Sequence, residues 1–376
     1  MKVLALLSNV LGNKTFSNCI LESLAEIPDV DVHVISLSGL DYSITPAPRY
    51  IRFSGSLESE WVFKQKLLHL GLPKEIDVVV ANGLGLLKVA LPFLKTKKFN
   101  HCPPPPLILA TDTTPELIFQ QKNLSEKKWK RLLERSWHQI NNYFFLRMAR
   151  QVSIFLPRAS WCAQSLENDY HLTQPKIVIS SSQKNILETL PFRSSKVCKF
   201  LFVGNDFLRK GGDILLDAWN DICLREKQCE LTIISNDPFF NNSERRPRGV
   251  KLIQGIKSLN YLLPFYREAN VQILPTRMDQ YPNVICEGFS QGLPIIASDV
   301  GGISELVNES KGGILVPPNS PKEVWIKVIL DFINLSLEQK RALEQNALDY
   351  AQQRMSSRDF TAVIKLILKN LSGKVC

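Results

Sequence analysis

An α/β chain of two parallel-sheet domains is what this sequence predicts, and three observations predict it. Its 376 residues exceed one ordinary domain and suit two, each of roughly 150 to 200 residues. Short apolar runs fit for buried strands alternate with helix-length amphipathic segments from one end to the other. Loops carrying glycine and charge fall where those strands end, the edge at which open α/β sheets bind ligands. The hydrophobic content of 44% and charged content of 22% are globular values, so the whole chain is read as folded.

The first half opens with a strand at residues 3–7, a loop at 8–15 and a helical pattern at 16–24. That is how a mononucleotide-binding α/β domain begins. Gly12 in the loop either lets a ligand approach the backbone or simply makes a turn; GxGxxG is absent, so no dinucleotide fingerprint is claimed. Strands are expected at 30–37 and 76–81, a helix at 84–95, and an extended approach at 101–106 leading into a strand at 107–110. Asp112 sits just past that strand, where it either faces a cleft or caps a helix, since Asp before Thr-Thr-Pro-Glu suits an Asx turn equally well. A strand at 151–157, a helix at 159–170 and a strand at 176–181 complete this half. Polar residues then replace the apolar periodicity. This marks the connection between a first domain at 1–186 and a second at 196–356, with a closing helix within 357–376 expected to return to the first.

The formal charge is +10, and residues 122–150 hold eight Lys/Arg against two Asp/Glu. The excess of the first half is therefore one local patch. No nucleic-acid-binding module accompanies it, so nucleic acid is excluded as a partner; an anionic membrane surface or a phosphorylated ligand fits better. In this segment Trp129, Leu132, Leu133, Trp137, Ile140, Phe144 and Met148 recur at steps of three and four, with Lys127, Lys128, Lys130, Arg131 and Arg135 clustered at its start. The pattern is that of a basic helix lying on a membrane, or of an ordinary surface helix that turns this apolar face to the core. The eight cysteines form no CxxC pair and no metal-like Cys/His spacing, and read as small buried hydrophobes in a reducing compartment. With only a five-residue apolar run at the start and no run of bilayer length, the expected location is the cytoplasm, with peripheral contact at the inner face of the membrane through 122–150.

The second half carries the chemistry. A strand at 199–203 gives way to Gly204 and a loop ending Arg209-Lys210-Gly211-Gly212, and a helix follows at 213–224. Arg209 and Lys210 thus stand just before a helix amino terminus, where N–H groups and the macrodipole already favour an anion. Two fixed cations with two glycines suit a diphosphate; the loop is not a P-loop, because GxxxxGK[ST] is absent. Strands at 272–275 and 294–298 bracket a helix expected from 283 to a stop at Gly292. The loop before that helix carries Asp279 and its first turn carries Glu287, which puts two carboxylates at and near the carboxyl edge of the sheet. Gly301 and Gly302 follow the next strand end.

Taken together, FVGNDFLRKGG, ILPTRMDQYPNVICEGFSQGLPIIASDVGGISELV and GGILVPP resemble the nucleotide-sugar-binding half of retaining glycosyltransferases of the large family 4, with the GT-B fold. FLPRASWCAQSLENDY and ATDTTPE in the first half are similar to that family too. The resemblance implies two Rossmann-like domains facing across a cleft, the donor held by the second and the acceptor mainly by the first. It implies that Arg209 and Lys210 neutralise the donor diphosphate, that Glu287 accepts hydrogen bonds from the nucleotide ribose, and that backbone N–H groups near Asn283, Val284 and Ile285 point at the phosphates, with no metal and no cofactor beyond the donor. The family carries Glu where this chain has Asp279, a group expected at the sugar hydroxyls. The family's first-domain histidine has no convincing counterpart here.

The expected activity is transfer of a hexosyl unit from a nucleoside diphosphate sugar to a hydroxyl of a glycan, a lipid-linked or a small-molecule acceptor. Two alternatives share the fold: a nucleotide-sugar epimerase, and a catalytically silent nucleotide-sugar-binding protein.

Overall fold

The computed structural model of the chain describes residues 1–7, 13–36, 75–87, 104–121, 128–173, 176–183, 186–191, 193, 197–241, 249–256 and 259–372. Gly12, Lys127, the side chain of Lys128 and most of the helix expected at 84–95 lie outside the described residues. The chain divides into two compact units, Met1–Ser182 with Ser357–Cys376, and Gln183–Ser356.

The first unit is built on a five-stranded sheet in the order β2-β1-β3-β4-β5, with β1 Lys2–Leu7, β2 Asp31–Ser36, β3 Val78–Asn82, β4 Leu107–Thr111 and β5 Ile154–Pro157. Every pairing is parallel. The strands are nearly unbroken aliphatic runs because both faces are covered. Successive side chains point to opposite faces, so Leu4 and Leu6 of β1 enter one core, while Val3, Ala5 and Leu7 enter the other. That second core is closed by the helices Asn13–Ala25 and Ser357–Ser372, which meet through Phe16 and Phe360 with ring centroids 5.5 Å apart. Phe360 and Ile364 are fully buried there, each contributing about 1.5–3 kcal/mol.

Two expectations change in this unit. Residues 176–181 run beside β5, with Val178 N–H donating to Phe155 O at 2.9 Å and Ser180 N–H to Pro157 O at 2.9 Å. They form one isolated bridge, Phe155 with Ile177, rather than a strand, and the outer Ile179 stays exposed. The long helix spans Lys128–Ala149, and of the two readings that its apolar stripe allowed, packing on the core holds for Met148 and fails for the residues before it. Trp129, Leu132, Leu133, Trp137, Ile140 and Phe144 are all exposed.

The second unit is a six-stranded sheet in the order β11-β10-β9-β6-β7-β8, with β6 Cys198–Val203, β7 Cys229–Ile234, β8 Val250–Ile253, β9 Val271–Leu274, β10 Ile295–Ser298 and β11 Gly313–Val316. All its pairings are parallel. Counted from its own first strand the order is that of doubly wound dinucleotide folds. The chain starts at β6, builds outward to β8, then crosses back to β9 and builds the other way. The reversal puts a switch point between β6 and β9, where the loops leaving neighbouring strands diverge and open a crevice. Arg193 ties the segment entering this unit to its interior. Its buried guanidinium donates to Gly292 O at 2.9 Å and Gln291 O at 2.8 Å and pairs with Glu344 at 3.3 Å.

Candidate active site

The two loops at the switch point are built by close backbone approach. After β6 the chain turns at once. Phe207 is fully buried against Phe202, Phe239 and Phe240 at centroid distances of 5.4, 4.8 and 4.6 Å, and its N–H donates to Asp237 Oδ2 at 2.8 Å. That anchored ring fixes where the helix Gly212–Arg225 begins. A Cβ at Gly212 would lie 2.0 Å from it.

Gly211 caps the helix with φ +72°, a left-handed conformation that glycine adopts without a Cβ penalty. A Cβ there would lie 1.8 Å from Pro275 O, just past β9. The two loops therefore touch backbone to backbone, and they are laced along that seam. Arg277 N–H donates to Arg209 O at 2.9 Å, and Arg209 Nη1 donates to Met278 O at 2.5 Å. Arg277 grips Asp213 with two hydrogen bonds of 2.7 and 2.8 Å; this pairing raises the Arg277 pKa above its ordinary value. Nothing in the sequence singled out Arg277, since its partner lies 64 residues away.

The seam brings together the three residues that sequence reasoning placed in separate loops. Lys210 Nζ donates to Asp279 Oδ2 at 2.8 Å, and Arg209 Nη1 lies 3.7 Å from the same oxygen. Arg209 Nε also reaches Asp206 Oδ2 at 2.5 Å. The Lys210 and Asp279 side chains are largely buried, at 12% and 14% exposure. Lys210 is thus a cation held by a carboxylate, not the independent charge the sequence suggested. An ammonium has three donors, and Asp279 fixes the direction in which it points. Its stem lies across Gly204, where a Cβ would meet Lys210 Cδ at 2.4 Å.

After β10, Gly301 adopts φ +55° and Gly302 N–H donates to Gln280 O at 2.7 Å. A Cβ at Gly302 would lie 2.5 Å from that oxygen. The glycine pair therefore supports the Asp279 loop from the far side.

The helix Asn283–Ser290 starts at the end of this loop, after Pro282 with no side-chain cap. Of the three N–H groups expected at a phosphate, that of Ile285 donates to Pro282 O at 3.1 Å. The helix starts at Asn283 as expected, and Glu287, its fifth residue, falls in the second turn rather than the first. It is buried and accepts from Tyr266 Oη at 2.8 Å. Burial first, and the facing Glu287 carboxylate second, lift the Tyr266 pKa well above its ordinary value.

In the first unit, Asp112 follows β4 as expected, but the cap of the helix Pro115–Gln120 is Thr114, whose Oγ1 accepts from Leu117 N at 3.3 Å. A polar cluster that the sequence did not announce sits behind it. His138 Nε2 lies 2.7 Å from Glu116 Oε2, Asn142 donates to the same oxygen at 2.9 Å, and Tyr170 Oη donates to Asn142 Oδ1 at 2.6 Å. Burial pushes the Glu116 pKa up, but the hydrogen bonds from Asn142 and His138 outweigh it and hold the carboxyl below its ordinary value. Among the described residues no group of three or more His, Cys, Asp or Glu is arranged to hold a metal.

A unit with this strand order belongs to the doubly wound α/β proteins, whose ligands bind outside the carboxyl ends of the strands at the switch point. Comparison with known proteins narrows it. Residues 198–334, which lie within the second unit, match the family described as Glycosyl transferases group 1. An uncharacterized glycosyltransferase of Methanocaldococcus jannaschii is 30% identical over 158 residues, 41% of this chain and 43% of that protein, so the similar part spans less than half of that relative.

Among solved structures, sucrose-phosphate synthase from Thermosynechococcus elongatus superposes with a TM-score of 0.73 at 16% identity over 100% of both chains. The Anabaena protein HepE, in complex with UDP and glucose, gives 0.64 at 16% identity over 98% of this chain and 99% of its own. The chain has the GT-B fold, and within its second unit residues 198–334 are similar to group 1 glycosyltransferases.

Proposed function

We propose that the chain is a retaining glycosyltransferase that moves a hexosyl unit from a nucleoside diphosphate sugar to an acceptor hydroxyl. The observation that carries this reading is the cluster of Lys210, Arg209 and Asp279 at the switch point, with Lys210 Nζ 2.8 Å from Asp279, beside the start of the helix Gly212–Arg225. As the bond from the sugar's anomeric carbon to the donor phosphate breaks, negative charge grows on the departing diphosphate. Fixed cations stabilise that charge more than they stabilise the ground state. Lys210, aimed by Asp279, and Arg209 would supply the cations, and the helix start adds its dipole.

With charge met in this way the reading requires no metal. The leaving diphosphate takes the acceptor's proton on the same face as the new carbon–oxygen bond forms, which keeps the anomeric configuration. Glu287, oriented by Tyr266, would accept from the ribose hydroxyls as an ionised carboxylate does well. Asp279 would serve both Lys210 and the sugar hydroxyls.

The UDP and glucose in the Anabaena structure make uridine donors the first to test. Full-length protein is incubated with uridine, guanosine and adenosine diphosphate sugars and a panel of glycan, lipid-linked and small-molecule acceptors, and nucleoside diphosphate release and product anomer are read. Acceptor-dependent release with a retained anomer is expected. An inverted anomer, a free epimer of the donor, or binding without turnover would each overturn the reading.

A further inference from the structure

We propose that the outward face of the helix Lys128–Ala149 docks on an anionic lipid bilayer, with the helix lying in the plane of the headgroups. The proposal stands apart from the donor site and does not depend on it.

Three observations carry it. First, the apolar stripe is exposed to a degree unusual for such residues: Trp129 59%, Leu132 66%, Leu133 60%, Trp137 63%, Ile140 46% and Phe144 51%. Isolated exposed apolar residues are ordinary, but a contiguous stripe marks an interaction surface. At about 100° per residue these positions fall within an arc of about 140°, along a helix about 33 Å long.

Second, the helix has no freedom to turn this stripe inward. Its opposite face is already committed, because Phe145 and Ala149 are buried in the core. His138 stacks on Phe119 at 3.8 Å and, with Asn142, is bonded to Glu116. Those inner residues lie about 180° around the helix from the stripe.

Third, the charge names the occupant. Lys130 borders the stripe on one side and Arg135 on the other, and Arg147 is exposed within it near the helix's far end. The helix holds one acidic residue, Glu134. Lys130 Nζ lies 5.5 Å from the centroid of the Trp129 ring. Long basic side chains beside an apolar stripe reach anionic headgroups while their stems stay with the acyl chains. Tryptophans, with Tyr143 also exposed at 62%, suit that boundary because one end of the ring system is apolar and the other polar. A second copy of the same face would set these basic borders against each other, which disfavours self-association. Among the described residues no helix is long and apolar enough to cross a membrane, so docking in the interface is the geometry left to it.

The test uses the full chain and sedimentation with vesicles. Native protein is expected to co-sediment with vesicles of equal parts phosphatidylcholine and phosphatidylglycerol, far less with phosphatidylcholine alone, and less as salt rises. Leu132→Ser with Leu133→Ser, and separately Lys130→Glu with Arg135→Glu, are each expected to lower partition at least tenfold, while circular dichroism stays unchanged because every altered side chain is exposed. Brominated acyl chains give a readout on the native protein that needs no variant: its tryptophan fluorescence should be quenched in proportion to the vesicle-bound fraction. Native protein that remains in the supernatant, binding equal on neutral and anionic vesicles, variants that bind undiminished, or fluorescence unquenched in the bound state would overturn the proposal. So would a dimer in solution that Leu132→Ser with Leu133→Ser converts to monomer.

Discussion

Adding one methyl group at Gly211 should pull the candidate site apart. The residue sits at φ +72°, where an L side chain costs roughly 1–2 kcal/mol. Its new Cβ would meet Pro275 O at 1.8 Å and Pro275 C at 2.6 Å. Both are backbone atoms, so neither can swing aside as a flexible side chain does. The two loops must separate, and the bonds that cross between them loosen with them: Arg277 N–H to Arg209 O at 2.9 Å and Lys210 to Asp279 at 2.8 Å. At about 1 kcal/mol for each, the total for Gly211→Ala is about 3–4 kcal/mol.

Gly255 supplies the control. Its φ is +82°, but nothing lies within 4 Å of a built Cβ, so Gly255→Ala carries only the backbone cost, about 1–2 kcal/mol. Urea unfolding of native protein and both variants, with the two units fitted as separate transitions, measures the difference. Gly211→Ala should lose at least twice as much as Gly255→Ala. Two variants of equal stability would refute the claim that backbone contact holds these loops in register.

Three further outcomes follow from the same geometry. Asp279→Asn removes the charge that holds Lys210 but frees both cations for an anion; nucleoside diphosphate affinity measured by calorimetry should not weaken, while turnover falls by about 10²-fold or more. Tyr266 keeps its proton in the folded state beyond its ordinary pKa of 10.0, so the stability it supplies is complete below that pH and is lost as pH rises toward the folded value. Unfolding midpoints followed upward from neutral pH should show Tyr266→Phe losing part of the alkaline slope, up to about 1.4 kcal/mol per pH unit. Glu344→Ala leaves the Arg193 guanidinium buried without its counter-charge; urea titration should show a loss of about 3–5 kcal/mol, and a loss below about 1 kcal/mol would mean that the carbonyls of Gly292 and Gln291 suffice for it.

The parallel α/β architecture was legible because each strand is a short aliphatic run with both faces buried, a local signal that needs no knowledge of partners. Arg209, Lys210 and Asp279 were legible for a related reason: each follows a strand, and parallel strands deliver all their ends to one edge. What the sequence did not carry were relations across the chain. Lys210 and Asp279 are 69 residues apart, and only the touch of Gly211 on Pro275 makes them partners. The helix start at Asn283 was legible too, and Glu287, its fifth residue, falls just past the first turn in which it was expected.

The helix Lys128–Ala149 shows the limit most plainly. Periodicity finds a stripe but not the side on which the protein lies, and here the smaller residues and polar groups, Ala149, His138 and Asn142, face inward while the tryptophans face out. The polar network of Glu116, His138, Asn142 and Tyr170 that decides this orientation joins residues from three separate segments.

The central claim is that Lys210 and Arg209 hold a donor diphosphate at the switch point. It is tested most directly by titrating UDP, with GDP and ADP in parallel, into native protein and Lys210→Ala in a calorimeter at fixed salt. One nucleotide should bind the native chain, and Lys210→Ala should weaken that binding by about 10²-fold, the worth of one lost charge-assisted contact of about 1.5–3 kcal/mol, while the variant, less stable for want of its bond to Asp279, is still folded at the assay temperature by circular dichroism. Equal affinity in the two proteins would contradict the account.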